Sequence, residues 1–194
     1  MRDCLLGIKD DIVSDCNTAG TGGNEVKAWI GNRKELEPTY DTDNPSLVND
    51  LALVGDASSG VKLFSITGVK RLLDSGFDRV VSENRPDRFT HFFSFQGFEF
   101  TAAKVENLDN LKDLVVIVES KDKTDDGDGV FRIFGLKAGL YPSTDTMRAN
   151  TDNGVRSLEL TTLDGDTEPF SNYTLLDTDY PTTLTLLESL ETGL

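Results

Sequence analysis

RFTHFFSFQGFEF, residues 88–100, and LVVIVESKDKTDDGDGVFRIFGLKAGLY, residues 114–141, decide the fold. In the first, Phe89, Phe93 and Phe95 share one parity and Phe92, Phe98 and Phe100 the other. Successive side chains of a strand point to opposite faces. Aromatic residues on both parities therefore predict either a strand enclosed on both sides or one packed on its own core and against a neighbouring subunit. Between the two stretches, Ala102, Val105, Leu108 and Leu111 recur at a spacing of three. That predicts a helix capped by Thr101, with Lys104, Glu106, Asp109, Asn110 and Lys112 outward. LVVIVES, residues 114–120, reads as a buried strand, and DKTDDGDG, residues 122–129, as the hairpin connection to a returning strand. Strand, helix, strand, turn, strand is a scaffold for packing and assembly. It holds no nucleophile motif, metal cluster or cofactor loop.

Working outward, the 194 residues fit one domain preceded by an arm. The arm spans residues 1–25 and ends in the turn-forming NTAGTGGN. The GTGG within it lacks the G-K-[ST] ending of a phosphate loop. A single β-rich domain is expected over residues 26–194. VKAWI predicts a strand with Val26, Ala28 and Ile30 on one face and Trp29 on the other, ended by Pro38. SLVNDLALV, residues 46–54, fits either a strand or a helical turn, and a strand is expected from Val61 to about Lys70. FDRVVSENRPDR then reads as an approach loop marked by Pro86. Pro142–Gly154 reads as a long polar loop, and VRSLELTT as a strand with Leu158 and Leu160 on one face. A last strand lies within 170–176. Leu184, Leu187 and Leu190 line a C-terminal helix. The fold class is mainly β with one or two helices (α+β).

Charge narrows the partners. Asp and Glu number 34 against 19 Lys and Arg, a formal net charge of −15. Nine of the acids, against one arginine, fall in residues 149–194. Phosphate contacts need clustered cations, so an ordinary nucleic-acid groove is disfavoured. The excess is either a solvated acidic surface or one that repels a polyanion. No run approaches the roughly 18 apolar residues of a membrane-spanning helix, and no membrane partner is expected. The first residues turn acidic by Asp10 without an apolar core, so no secretory signal is expected. Cys4 and Cys16 match no zinc spacing and read as free thiols, with a disulfide between them as the alternative.

Catalytic candidates are few. His91 is the sole histidine and has no serine or cysteine elbow to serve, so it reads as structural. Asp122, Asp125, Asp126 and Asp128 surround Gly127. Of these, Asp122, Asp126 and Asp128 are the candidate ligands for a hard cation. The calcium-loop pattern fails, however, with threonine at its third position and Ile133 at its twelfth. No metal, cofactor or catalytic residue is assigned, and no enzymatic activity is expected. A carboxylate pair for glycoside hydrolysis is not singled out by any spacing. Arg85, Arg88, Arg132, Arg148 and Arg156 stand either as surface arginines balancing local acids or as contacts to acids of a neighbouring subunit.

The order of these segments resembles the tail tube, or major tail, proteins of long-tailed bacteriophages and prophages. VKAWIGNRKEL, RPDRFTHFFSFQGFEF, the helix before LVVIVESK, GDGVFRIFGLKAGLY, VRSLELTTLDGD and TDYPTTLTLLESL carry the likeness. The resemblance implies a β-sandwich or small barrel with a flanking helix. It also implies hexameric rings stacked into a tube, made in the bacterial cytoplasm and incorporated in the virion tail. Acids would line a lumen through which DNA passes without binding, and other tail proteins would be partners. Phe92, Phe98, Arg88, Arg132, Arg148 and Arg156 would then sit at subunit interfaces, and the segments 14–25, 38–44 and 142–154 would reach adjacent subunits. Two alternatives compete with the tube: another virion part (tail terminator, head-completion or capsid decoration protein) and a monomeric carbohydrate-binding β-sandwich.

Overall fold

A computed structural model describes residues 23–55, 60–68, 72–97, 101–123, 127–148, 150 and 155–193. Phe98, Phe100, Asp125, Asp126, both cysteines and most of the N-terminal arm lie outside them. The mainly β, α+β class expected from the sequence is what the chain adopts, as two sheets and two helices.

Sheet A has seven strands. They are β1 (Asn24–Asn32), β2 (Leu36–Tyr40), β3 (Leu47–Leu53), β4 (Phe64–Thr67), β7 (Leu114–Ser120), β8 (Phe131–Phe134) and β11 (Tyr173–Leu175). Their spatial order is β2-β3-β11-β8-β7-β1-β4. Only β3 and β11 run parallel. Sheet B orders β5 (Leu73–Val80), β6 (Arg88–Gly97), β10 (Arg156–Thr161) and β9 (Tyr141–Met147), all antiparallel, as β5-β6-β10-β9. Helix α1 (Ala102–Asp109) follows β6, and α2 (Tyr180–Thr192) follows β11.

Alternation along β7 separates two cores. Leu114, Val116 and Val118 join Ala28, Ile30, Phe134 and, from sheet B, Phe93, Phe95, Leu158 and Leu160. Val115 and Ile117 join Trp29, Phe131, Ile133 and Tyr173 under Leu187 and Leu190 of α2. The molecule is therefore layered as α2, sheet A, sheet B. Every residue of β7 is buried, as its apolar run predicts.

Helix α2 is closed at both ends. The Asp179 carboxylate accepts from the Thr182 amide at 2.9 Å, and Gly193 ends the helix at φ +76°. Glu119, on the α2 side of β7, accepts from the Tyr180 hydroxyl and the Lys123 ammonium, both at 2.7 Å. At the other end Glu191 accepts from Lys27 at 2.7 Å, from the Ser65 hydroxyl at 2.7 Å and from the Trp29 indole at 3.3 Å. Lys27 and Ser65 hold the Glu191 carboxyl below the usual carboxylate range. Helix α1 is looser. Thr101 caps it as expected, but none of its residues is fully buried.

Several expectations are corrected. Residues 73–80 form β5, paired along its length with β6, although from Phe77 on an approach loop was expected. Its glycine and charges hide the strand pattern. Gly76 is covered by the Phe92 ring, so close that an added Cβ would lie 2.7 Å from it. Residues 141–147 form β9, although a loop was expected from Pro142; it is an edge strand whose polar side chains face solvent. Pro38 does not end a strand but lies within β2, at a sheet edge where its missing N–H costs nothing. The strand expected through Lys70 shortens to β4. The ambiguous residues 46–54 hold strand β3. In β6 only one face is buried, by His91, Phe93 and Phe95, and Phe92 is half-buried on the other.

Candidate functional site

Among the described residues, sheet B has one face on the core and one uncovered. Cross-strand register places Asp74, Ser94, Glu159 and Thr144 in one row across all four strands of that outer face. Gln96, Ser157 and Thr146 continue it on one side. On the other side come Gly76, Phe92, Thr161 and Tyr141, then Asp78 with Thr90. The Glu159 carboxylate accepts from the Ser143 hydroxyl at 3.0 Å, and the Asp74 carboxylate from the next backbone amide at 2.9 Å. A shallow trough of about 220 Å³ lies along the carboxylate row. Among the described residues in register on this face, the only cation is Arg88, at the far end opposite Val80. Among the described residues, strands β5 and β9 bound the sheet with unpaired edges. The arrangement offers negative charge, hydroxyls and two rows of free backbone groups.

A second polar cluster is enclosed rather than open. His91, Glu168 and Tyr173 are buried. The Gly135 amide donates to His91 Nδ1 at 3.0 Å, which makes that nitrogen an acceptor, so Nε2 carries the proton and donates to the Phe170 carbonyl at 2.9 Å. The ring meets Phe134 edge-on at 5.3 Å. Burial lowers the His91 pKa, against the attraction of the Glu168 carboxylate. Glu168 Oε1 accepts from the Lys137 and Ala138 amides, both at 2.8 Å, and Oε2 from the Tyr173 hydroxyl at 3.2 Å. Burial raises the Tyr173 hydroxyl well above its ordinary value. The Tyr40 hydroxyl, also enclosed, meets no partner. This cluster ties β6 to the loop after β8 and to the segment before β11. His91 is thus a packed, hydrogen-bonded histidine, in line with its structural reading. Glu168 and Tyr173 were not foreseen, because their partners are backbone amides and a hydroxyl remote in sequence, which leave no local motif.

The arginines expected at interfaces have separate surroundings. Arg156 is held within the chain. Its Nε donates to Asp145 at 2.7 Å, and its Nη2 bonds Asp145 and, at 2.7 Å, Asp109 of α1. These contacts raise its pKa further, Asp145 foremost. Arg132 donates to the Gly129 carbonyl at 3.1 Å. Arg88 and Arg148 are exposed at strand ends. Phe92 lies over Gly76, and Phe98 is outside the described residues. Asp122 and Asp128 are exposed and Asp126 is outside the described residues. Among the described residues no three His, Cys, Asp or Glu side chains gather to hold a metal ion. No helix among them is long and apolar enough to cross a membrane.

At the opposite end of sheet B from Arg88, a groove of about 370 Å³ separates α1 from β4, the last strand of sheet A among the described residues. Ile30, Phe64, Ile66, Phe95, Leu108 and Leu111 supply its apolar walls. A second recess of about 310 Å³ continues it past Leu72 and Lys104. No protein-family model, curated protein or solved structure matches the chain.

Proposed function

We propose that this chain is a structural subunit that assembles with copies of itself into stacked rings, forming the tube of a bacteriophage tail. The observation that carries the reading is the acidic face of sheet B, uncovered among the described residues and bounded there on both sides by open strand edges. Open edges are templates for pairing with another chain. The β5 edge of one copy and the β9 edge of the next would join neighbouring four-stranded sheets into one closed sheet. Its inner surface would then carry Asp74, Asp78 and Glu159 from every copy. At an ionic strength of 0.1 M charges are screened over about 10 Å, so a lumen lined at close spacing repels DNA along its walls and lets it slide. The resemblance to tail tube proteins supplies the six-fold ring. In this reading the partners are further copies and other tail proteins, and the protein catalyses nothing.

Negative-stain electron microscopy across a concentration series, with light scattering alongside, tests this reading. Rings or tubes with a central hole are expected. A monomer near 21 kDa at every concentration overturns it.

One observation favours a second reading. The trough joins two carboxylates, Ser94, Gln96, Thr144 and Ser157, with the half-buried Phe92 ring in the next row. Polar groups beside an aromatic surface suit a sugar, as expected of a carbohydrate-binding module. Glycan binding by a strictly monomeric protein, abolished by Glu159→Ala, would establish it in place of the tube.

A further inference from the structure

The one imidazole of the chain stands where the two sheets are tied together. His91 belongs to β6 of sheet B. Its Nδ1 accepts from the Gly135 amide, just after β8 of sheet A, and its Nε2 donates to the Phe170 carbonyl, before β11. Two residues back along β6, the Phe89 amide donates to the Glu168 carbonyl at 2.9 Å and the Glu168 amide to the Phe89 carbonyl at 2.7 Å. The last register pair of β10 with β6 is Thr161 with Phe92, and the Thr162 amide donates to the His91 carbonyl at 3.1 Å. Past that bond, on the side away from β5, the two-way bridge to Glu168 is what holds the start of β6 among the described residues.

The cluster also contains polar groups that the neutral ring does not use. Thr162 follows the Thr161–Phe92 pair, so it stands opposite His91 on the core-facing side of sheet B. It is 4% exposed, and its hydroxyl has no partner. Among the described residues, the other enclosed hydroxyl without one belongs to Tyr40, whose ring centre lies 6.2 Å from that of Tyr173. Both orphans therefore fall beside the cluster that encloses the Glu168 carboxylate. Burying an unbonded hydroxyl is costly, which points to a state of the cluster in which it is bonded.

The surroundings decide what a proton on His91 would meet. Strand β5 presents Phe77 and β8 presents Phe134, both apolar. Asp78 lies on the other face of β5, and Arg79 is paired with Asp87. The Lys137 ammonium is turned to the Tyr40 ring, 4.4 Å from its centre, and Arg88 is exposed. Tyr173 bonds Glu168. Glu168 is thus the buried carboxylate that a charged ring would find. Burial holds the ring's pKa below its ordinary value, against the attraction of that carboxylate.

We infer that His91 and Glu168 form an acid-sensitive latch between the two sheets. Protonation sets a second N–H of the ring against the Gly135 amide, itself a donor. The imidazolium leaves Gly135 and turns Nδ1–H to the Thr162 hydroxyl and the Glu168 carboxylate. Glu168 is drawn from the Lys137 and Ala138 amides, and its bridge to Phe89 opens. Residues 88–90, with residues 77–80 paired to them, then loosen while sheet A stays closed. The latch belongs to the single chain. Only its consequence, a β5 edge whose shape depends on pH, rests on the tube reading.

Nuclear magnetic resonance of isotope-labelled protein, kept below the concentration at which light scattering detects assembly, tests the latch. With a single histidine the imidazole nitrogens are identified without mutation. At neutral pH the ring should carry its proton on Nε2. As the pH falls through the ring's titration, the Gly135 and Glu168 amides should exchange with solvent at least about tenfold faster than intrinsic exchange predicts, the factor equivalent to one unit of pKa. The β7 amides should stay protected. Thr162→Val keeps the side-chain shape and removes the waiting acceptor. It should melt like the wild type at neutral pH and titrate at lower pH, whereas Thr162→Ser should titrate with the wild type. A ring that stays neutral until the whole chain unfolds, or exchange at Gly135 and Glu168 that does not change through the titration, overturns the latch. A Thr162→Val ring that titrates with the wild type overturns the exchange of partners on which the latch depends. None of these outcomes bears on whether rings form.

Discussion

Sheet A and sheet B differ in how much of each is enclosed. An interior strand of sheet A, β7, has no exposed residue because α2 covers one face and sheet B the other. Strand β9 of sheet B is exposed at six of its seven positions. Sheet A lies between two apolar layers, and among the described residues sheet B leaves one face to solvent. The difference also explains their sequences. A strand enclosed on both faces is apolar except where a buried polar side chain finds partners, as Glu119 does, whereas an edge strand with a solvent face tolerates Pro142, serine, threonine and aspartate.

Substitution is the strongest way to break this comparison. Ile117→Ala, in the core beneath α2, should cost about 2–5 kcal/mol through lost burial and the cavity left behind. Thr144→Ala, on the open face, should stay within about 0.5 kcal/mol. Urea denaturation of both variants measures the gap, and equal costs would mean that the two sheets are not energetically distinct.

Gly76→Val should come next. Its side chain would strike the Phe92 ring, and overpacking of this kind costs about 1–3 kcal/mol. Phe92→Ala should relieve much of that cost in the double variant, giving a coupling energy measurable by a double-mutant cycle. A purely additive pair would show that the ring does not seal the glycine.

A third experiment uses pH. The folded-state pKa of His91 is depressed, so the unfolded chain takes up the proton first. Stability is then complete above about pH 6.5, the unfolded value, and falls as the pH drops toward the lower folded value. The slope is at most about 1.4 kcal/mol per pH unit. Protonation at Nδ1 would also set an N–H against the Gly135 amide. His91→Asn should be less stable at neutral pH but should lose this slope between pH 6.5 and 5. A slope retained in the variant would assign it to other groups.

The smallest effect on stability should come from Asp74→Lys combined with Glu159→Lys on the outer face, within about 1 kcal/mol for the pair. Its consequence should be functional. If that face lines a conduit, assembled variant tubes should retain duplex DNA at low salt and release it as salt rises, while wild-type tubes retain none. No retention by variant tubes would remove the face from the lumen.

The legibility of the fold follows the same division. β7 was readable because seven residues without a solvent face leave one interpretation. α2 was readable from Leu184, Leu187 and Leu190 at helical spacing, and α1 from its cap and period. β5 was not, since Gly76 gains its side-chain cover from Phe92, sixteen residues away in sequence. β9 was not, since an edge strand with a wet face has no apolar alternation to display. The acidic row of the candidate site was equally hidden. Asp74, Ser94 and Glu159 are unremarkable in sequence, and only the register of three strands brings them together. The arginines expected at interfaces show the converse, because an arginine in an acidic chain looks available until its partners are placed. Arg156 finds Asp145 and Asp109 within its own fold.

Helix α2 also sets the order in which the molecule can be completed. It follows every strand in the chain, yet it roofs Trp29, Val115 and Ile117 and reaches through Glu191 to Lys27 and Ser65 near the beginning of the domain. During synthesis the α2-facing side of sheet A must therefore wait uncovered while more than a hundred residues are added after Trp29. A nascent chain in that state presents a wide oily surface and unpaired strand edges at once, so its yield should depend on chaperone capacity and on growth temperature before any ring is formed.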